Sequence, residues 1–183
     1  AAISSGNTAI IKPSELTPAS GEFMKKLIEK TFSSDEVAVF LGEKDVAEKL
    51  LDLPFNHIMF TGSPRVGKLV MKAASKHLAG VTLELGGKSP VIVDKGANIN
   101  DAAWKISFFK FANAGQTCTA PDYILCDEAV HNDLVVALQK NMAQFFPEGV
   151  DAATKDYCSI ANEHHFNRLK GALEGAVSGG AEI

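Results

Sequence analysis

Residues 81–90 read Val81-Thr82-Leu83-Glu84-Leu85-Gly86-Gly87-Lys88-Ser89-Pro90. Val81, Leu83 and Leu85 alternate with Thr82 and Glu84, the period of a half-buried β-strand. Two glycines stop the run, and Pro90–Asp94 then supplies a second apolar strand. Upstream, strand and helix patterns take turns. Thr8–Ile11 is a short β-branched run closed by Lys12-Pro13. Thr17-Pro18 offers an N-cap and a proline at the first helical position, and Phe23, Leu27 and Ile28 recur at helical spacing over 18–30. Val37–Leu41 reads as a strand closed by Gly42, and Val46, Ala47, Leu50 and Leu51 mark a short helix. His57–Thr61 reads as a third strand, turned by Gly62-Ser63-Pro64 into a helix over about 64–78. Strands alternating with helices predict βαβ units and a parallel sheet, so the fold class is α/β with a Rossmann-like nucleotide-binding layer.

Downstream of the glycines, a helix is predicted from Asn100 or Asp101, with Trp104, Phe108 and Phe111 on one face. A small-residue loop around Cys118 precedes a strand at Asp122–Cys126. Leu134, Leu138 and Met142 mark a helix over about 128–146, and Phe166, Leu169 and Leu173 another over 163–175. Gly86-Gly87 is the best place for a domain crossing, which divides the chain into 1–86 and 87–183.

The chain's 183 residues, 46% hydrophobic and 22% charged, suit a globular protein. A net charge of −4 without a basic cluster argues against a nucleic-acid partner. No apolar run approaches the roughly 20 residues that span a bilayer. Cys118, Cys126 and Cys158 are an odd number without ligand spacing, which predicts neither a disulfide framework nor a metal site and fits a reducing, cytoplasmic setting. The chain starts at Ala1 and stops after a glycine-rich stretch, which reads as an excerpt of a longer protein.

Glu84 and Cys118 are the candidate catalytic residues. A thiol and a carboxylate on separate elements can act as nucleophile and base if the fold brings them together. Each has a plainer reading. A free cysteine is most often a buried small hydrophobe, as Cys126 in Tyr123-Ile124-Leu125-Cys126 is expected to be. Glu84 by itself suits a solvated strand face. A base would need partial burial to raise its pKa toward neutrality. Phe60-Thr61-Gly62-Ser63-Pro64-Arg65-Val66-Gly67 lacks GxGxxG spacing, yet a helix N-terminus behind a serine cap offers amides and a positive dipole end to a phosphate. Lys12 and Glu15 alone read as surface charges, and His57, His77, His131, His164 and His165 suggest no cysteine–histidine hydrolase.

Four segments in chain order, Thr8–Glu15, Phe60–Gly67, Val81–Pro90 and Asn113–Cys118, closely resemble signatures of the aldehyde dehydrogenase superfamily. Ala120–Cys126 is most similar to its class 3 and coniferyl-aldehyde dehydrogenase-like branch. The resemblance implies oxidation of a small-molecule aldehyde to a carboxylic acid. Cys118 would attack the aldehyde, passing through a thiohemiacetal to a thioester, and Glu84 would activate the hydrolytic water. It implies NAD as cofactor, with NADP possible. Lys12 and Glu15 would face the adenine ribose, and Thr61, Gly62, Ser63, Val66, Gly67, Leu85 and Gly86 would contact the coenzyme. A homodimer or homotetramer is implied for the full-length protein. The family's oxyanion-hole asparagine and its nicotinamide-ribose glutamate are expected outside residues 1–183. A CoA-acylating member is the alternative that Glu84 disfavours, and a non-catalytic nucleotide-binding relative is disfavoured by the presence of both Glu84 and Cys118.

Overall fold

Each predicted strand and helix forms, with ends set by local chemistry. The computed structural model describes residues 1–151 and 155–182. Their elements run β1 (Ala9–Ile11), α1 (Pro18–Thr31), β2 (Val37–Val39), α2 (Lys44–Leu51), β3 (His57–Gly62), α3 (Pro64–Ala74), β4 (Gly80–Leu85), β5 (Ser89–Val93), α4 (Ile99–Phe111), β6 (Pro121–Cys126), α5 (His131–Phe145) and α6 (Glu163–Ser178). The chain divides into two compact units, Ala1–Glu84 and Leu85–Ile183.

In the first unit β1 and β2 pair in parallel, Ala9 opposite Val37 and Ile11 opposite Val39. The intervening α1 packs on β2, as a βαβ crossover requires. Gly21 is its one buried residue, lying where a Cβ would come 3.2 Å from Leu41 Cδ2 and 3.4 Å from Pro13 Cβ. The sequence pattern put Phe23 and Leu27 on the packed face. They are 69% and 52% exposed instead, and only Ile28 of that set is half-buried. Thr17 occupies the cap position without capping. Its hydroxyl donates to Ser14 O at 3.4 Å and accepts no helix amide.

β3 and β4 form a second pair, with α3 packed against β3. Ile58, Phe60, Val81 and Leu83 are half-buried, while Thr61, Thr82 and Glu84 are exposed. The alternation read from the sequence is therefore real, with His57 Nε2 bonded to Thr82 Oγ1 at 2.9 Å on the exposed face. Among the described residues hydrogen bonds link the strands in three pairs, β1 with β2, β3 with β4 and β5 with β6.

The second unit carries a hydrophobic core. β5 and β6 run parallel, and Val93, Ala103, Ile106, Leu134 and Ala137 pack together from β5, α4 and α5. Cys126, Ile124 and Leu138 pack against this cluster, which gives Cys126 the structural place expected of it. Asn98 caps α4 by accepting from the Asp101 N–H at 3.2 Å, two residues before the predicted start. The buried face of α4 is Ala103, Ile106 and Ser107, one step round from the aromatic stripe. Trp104 and Phe108 stack on each other, centroids 5.1 Å apart, on the exposed side. In α5 Leu134 is buried with Ala137 and Asn141, while Met142 is half in solvent. α6 buries none of its residues.

Candidate active site

The second unit brings the tail of the Glu84 segment to the Cys118 loop. β5 begins directly after Gly86-Gly87-Lys88, and β6 begins directly after Cys118-Thr119-Ala120. Their parallel register sets Ser89 opposite Pro121, with an irregularity before Pro90 pairs with Tyr123. Both loops therefore enter neighbouring strands at the same edge. Ser89 Oγ donates to the Cys118 carbonyl at 3.5 Å. A Cβ on Gly87 would lie 2.8 Å from that carbonyl oxygen, a separation that real Cβ atoms do not tolerate. Gly87 is thus required by close approach of two backbones. Gly86 meets nothing within 4 Å. Lys88, just before β5, forms an ion pair at 3.3 Å with Asp122 near the start of β6.

The turn leading to Cys118 is unusual. After α4 ends at Phe111, Asn113, Ala114 and Gly115 follow one another in left-handed conformation, with φ of 52°, 54° and 71°. Glycine takes this region freely and asparagine tolerates it, but alanine pays about 1–2 kcal/mol. Such strain persists only where surrounding contacts over-determine it. Here the Gln116 side chain supplies them. Its amide nitrogen donates to Asn113 O at 3.0 Å and to Ser159 O at 3.1 Å, and its oxygen accepts from the Ala161 N–H at 2.9 Å. Asn113 Nδ2 donates back to Gln116 O at 3.2 Å. Sequence reading placed Gln116 only within the Cys118 loop segment, marked Gly87 as part of a glycine pair at a domain crossing, and did not single out Ser89. Nothing in the local pattern announces a bond spanning more than forty residues.

Cys118 is exposed at the end of this turn, as is Cys158, while Cys126 is half-buried. Exposure alone does not separate Cys118 from Cys158. The constrained turn and the anchored carbonyl do. Glu84 sits near the end of β4 and is exposed, so the partial burial expected of a base is not found. The β4 alternation explains this, since Glu84 shares the exposed face with Thr82 while Val81, Leu83 and Leu85 are half-buried on the other.

In the first unit Lys12 is not a free surface charge. Its ammonium donates to Pro13 O at 2.9 Å, Gly42 O at 2.8 Å and Glu15 Oε2 at 3.2 Å, and its side chain is only 18% exposed. It ties the end of β1 to the turn after β2. Glu15 keeps half of its side chain in solvent. Its own backbone N–H, then the Lys12 ammonium, hold its carboxyl below the usual carboxylate range. Thr61, Gly62, Ser63, Val66 and Gly67 form one strand-to-helix turn. Ser63 Oγ accepts from the Val66 N–H at 3.3 Å, so the predicted cap is made. Pro64 has no N–H and Gly67 N–H bonds Ser63 O at 2.9 Å, which leaves the Arg65 N–H open at this helix end. Gly67 is buried in the packing of α3, and Val66 half so. Leu85 closes β4 half-buried and Gly86 is exposed. Among the described residues no hydrogen bond or ion pair joins the Lys12–Glu15 cluster to the 61–67 turn. No group of three or more His, Cys, Asp or Glu among them could hold a metal ion. No helix among them is long and apolar enough to cross a membrane.

The model of the aldehyde dehydrogenase family matches residues 1–183, and the chain belongs to that family. It is 50% identical over 175 residues to the 4,4'-diaponeurosporen-aldehyde dehydrogenase of Staphylococcus aureus, covering 96% of this chain and 38% of the relative. It is 46% identical to a probable coniferyl aldehyde dehydrogenase of Pseudomonas aeruginosa, over 100% of this chain and 38% of that one. It is 44% identical to the dimeric NADP-preferring aldehyde dehydrogenase of Rattus norvegicus, covering 94% and 38%. The branch indicated by residues 120–126 is supported by these relatives. The crystal structure of an NAD-dependent aldehyde dehydrogenase from Sinorhizobium meliloti superposes with a TM-score of 0.85 at 30% identity, over 98% of this chain and 36% of that chain. The chain thus spans about two-fifths of the length of the relatives it matches.

Proposed function

We propose that the protein oxidises an aldehyde to a carboxylic acid with NAD as cofactor, NADP being accepted as well, and that Cys118 is its nucleophile. The observation that carries this reading is the anchoring of the exposed Cys118 loop, through its own carbonyl, on the Gly87–Ser89 tail of the Glu84 segment. Cys118 thiolate attacks the aldehyde carbon, forming the C–S bond and moving the carbonyl electron pair onto oxygen. That oxyanion is stabilised in part by a backbone N–H at Cys118. The nicotinamide, when bound, supplies the hydride acceptor that leaves a thioester on sulfur. Glu84 then takes a proton from water as the water attacks the thioester. The C–S bond breaks, and thiolate and carboxylic acid are released.

The residues of the first unit fit the coenzyme. The Glu15 carboxylate is ionised and open to solvent, suited to accept from ribose hydroxyls and to repel a 2′-phosphate. The capped turn at Ser63 leaves the Arg65 amide and the positive end of α3 for a phosphate. Lys12 acts on the ribose site by holding Glu15, and Thr61 and Gly62 contact the coenzyme; Leu85 and Gly86, which open the second unit, are assigned coenzyme contacts by the family resemblance. The names of the relatives support both cofactors, one being NAD-dependent and one NADP-preferring. The domain crossing belongs at 86/87, and the intact protein assembles as a homodimer or homotetramer in a reducing, cytoplasmic setting. One relative is named as dimeric, and the three cysteines are free.

The test follows absorbance of reduced nicotinamide with the intact protein, NAD or NADP, and a panel of aliphatic and aromatic aldehydes. Turnover should need an aldehyde and no CoA, and Cys118→Ala should abolish it while cofactor binding persists. Turnover that requires CoA, or that survives Cys118→Ala, refutes the scheme.

A further inference from the structure

We infer that Gln116 is a positioning residue for Cys118, acting by clamping the nucleophile loop to residues 159–161. The inference rests on the reading of Cys118 as nucleophile and adds what holds it in place. Three observations converge. Three successive left-handed residues, 113–115, form a turn that would relax unless held. One half-buried side chain, Gln116, uses both donors and its acceptor on three backbone groups, two of them 43 and 45 residues away. The strap that it grips is fixed a second time. The Tyr157 ring packs on Phe146 at 5.3 Å and on Phe111 at 6.4 Å, and Phe111 is the last residue of α4 before the turn. The loop is therefore pinned at its base by Phe111 and Tyr157, at its middle by Gln116, and at its tip by the Cys118 carbonyl on Ser89.

The bonding pattern tells a clamp from a space-filler. Ser159 O takes a donor and the Ala161 N–H an acceptor from this one side chain, while Asn113 O, already bonded to the Gln116 backbone N–H at 3.1 Å, takes a second donor, a combination that a primary amide supplies. A carboxylate keeps the Ala161 bond but sets its second oxygen against two carbonyls. Loss of the clamp lets the Cys118 sulfur wander from its attack position. A displacement near 1 Å costs about a hundredfold in rate.

The experiment uses the intact protein with Gln116→Ala and Gln116→Glu, and three measurements. Hydrogen exchange reads the Ala161 amide, iodoacetamide with peptide mass spectrometry reads the alkylation rate of Cys118, and steady-state kinetics reads kcat and KM. Both variants should lower kcat by about tenfold to a hundredfold and alter the Cys118 alkylation rate, with KM for NAD unchanged. The Ala161 amide should lose protection in Gln116→Ala and keep more of it in Gln116→Glu. Gln116→Glu should recover part of its defect relative to wild type as pH falls and its carboxyl regains a donor. If Gln116→Ala fails to fold, Gln116→Glu carries the test through its pH profile. Unchanged kcat and Cys118 alkylation despite a deprotected Ala161 amide would show Gln116 to be purely structural and overturn the inference. Wild-type protein without aldehyde-dependent activity would sink the proposed function instead, while the alkylation and exchange arms still decide whether Gln116 governs Cys118.

Discussion

Gly87→Ala and Gly86→Ala are neighbours in sequence that should behave differently. A Cβ at Gly87 lies 2.8 Å from the Cys118 carbonyl oxygen, whereas one at Gly86 meets nothing within 4 Å. A carbon rests about 3.3 Å or more from a carbonyl oxygen, so accommodation demands a shift of roughly 0.5 Å. Backbone stands on both sides, and no flexible side chain can swing away. The Ser89 Oγ bond to the same oxygen is already at 3.5 Å and would break. Overpacking of this kind costs about 1–3 kcal/mol. If a misplacement of 1 Å is worth a hundredfold, half of that suggests about tenfold in kcat. The assays are denaturant unfolding of the intact protein, iodoacetamide alkylation of Cys118 without nucleotide, and turnover of Gly87→Ala against wild type. Gly86→Ala should match wild type in stability and alkylation. The reasoning fails if Gly87→Ala matches Gly86→Ala in both.

Glu84→Gln should leave a burst of reduced cofactor while steady turnover collapses and an acyl group accumulates on Cys118, seen by mass spectrometry. Unchanged turnover would remove Glu84 as the base. Glu15→Gln should favour NADP over NAD. One charge at about 4 Å is worth roughly 4 kcal/mol at an effective dielectric near 20, but Lys12 at 3.2 Å and half exposure cut this, so about a tenfold change in the ratio of kcat/KM values is expected. Because the carboxyl is held below its usual range, the wild-type preference should hold through neutral pH and weaken only as pH falls through that lowered value. An unaltered ratio places Glu15 away from the ribose. Ser107 is 2% exposed and its hydroxyl has no hydrogen-bond partner among the described residues. Ser107→Ala should stabilise the intact protein by about 1 kcal/mol in denaturant unfolding. A loss of stability would mean that the hydroxyl is satisfied.

Elements were legible where periodicity and turn chemistry agreed. The alternation of Val81–Leu85 marked β4, and Ser63-Pro64 marked the start of α3. Packing faces were less legible, because large apolar residues mark a face only when something covers them. Phe23 and Leu27 in α1, and Trp104 and Phe108 in α4, dominated the patterns yet stand exposed, while Gly21, Ala103 and Ser107 face inward. Small residues let elements approach closely and leave little periodic signal. At the site, Cys118 was singled out by the resemblance of Asn113–Cys118 to a family signature more than by its small, polar neighbours. The Gln116 clamp was not, because its partners, Ser159 O and Ala161 N–H, are backbone atoms that every residue type possesses.

The placement of the proposed base and nucleophile, Glu84 and Cys118, also bears on a general rule. Open α/β sheets gather their chemistry beyond the carboxyl ends of strands. Glu84 near the end of β4 follows that rule. Cys118 does not, since it lies ahead of the amino end of β6, against the residues that lead into β5. The loop is the exit of the α4 crossover from β5 to β6, joined to that helix at Phe111. The polypeptide braces it with side-chain and carbonyl contacts, the Gln116 amide on one side and Ser89 on the other, and with a glycine where the two backbones meet. This explains why a chain of ordinary composition keeps a left-handed alanine at Ala114 and a Cβ-free residue at Gly87 within one small region. Gly87 lets the Cys118 carbonyl sit against the residues that lead into β5 while the thiol stays exposed.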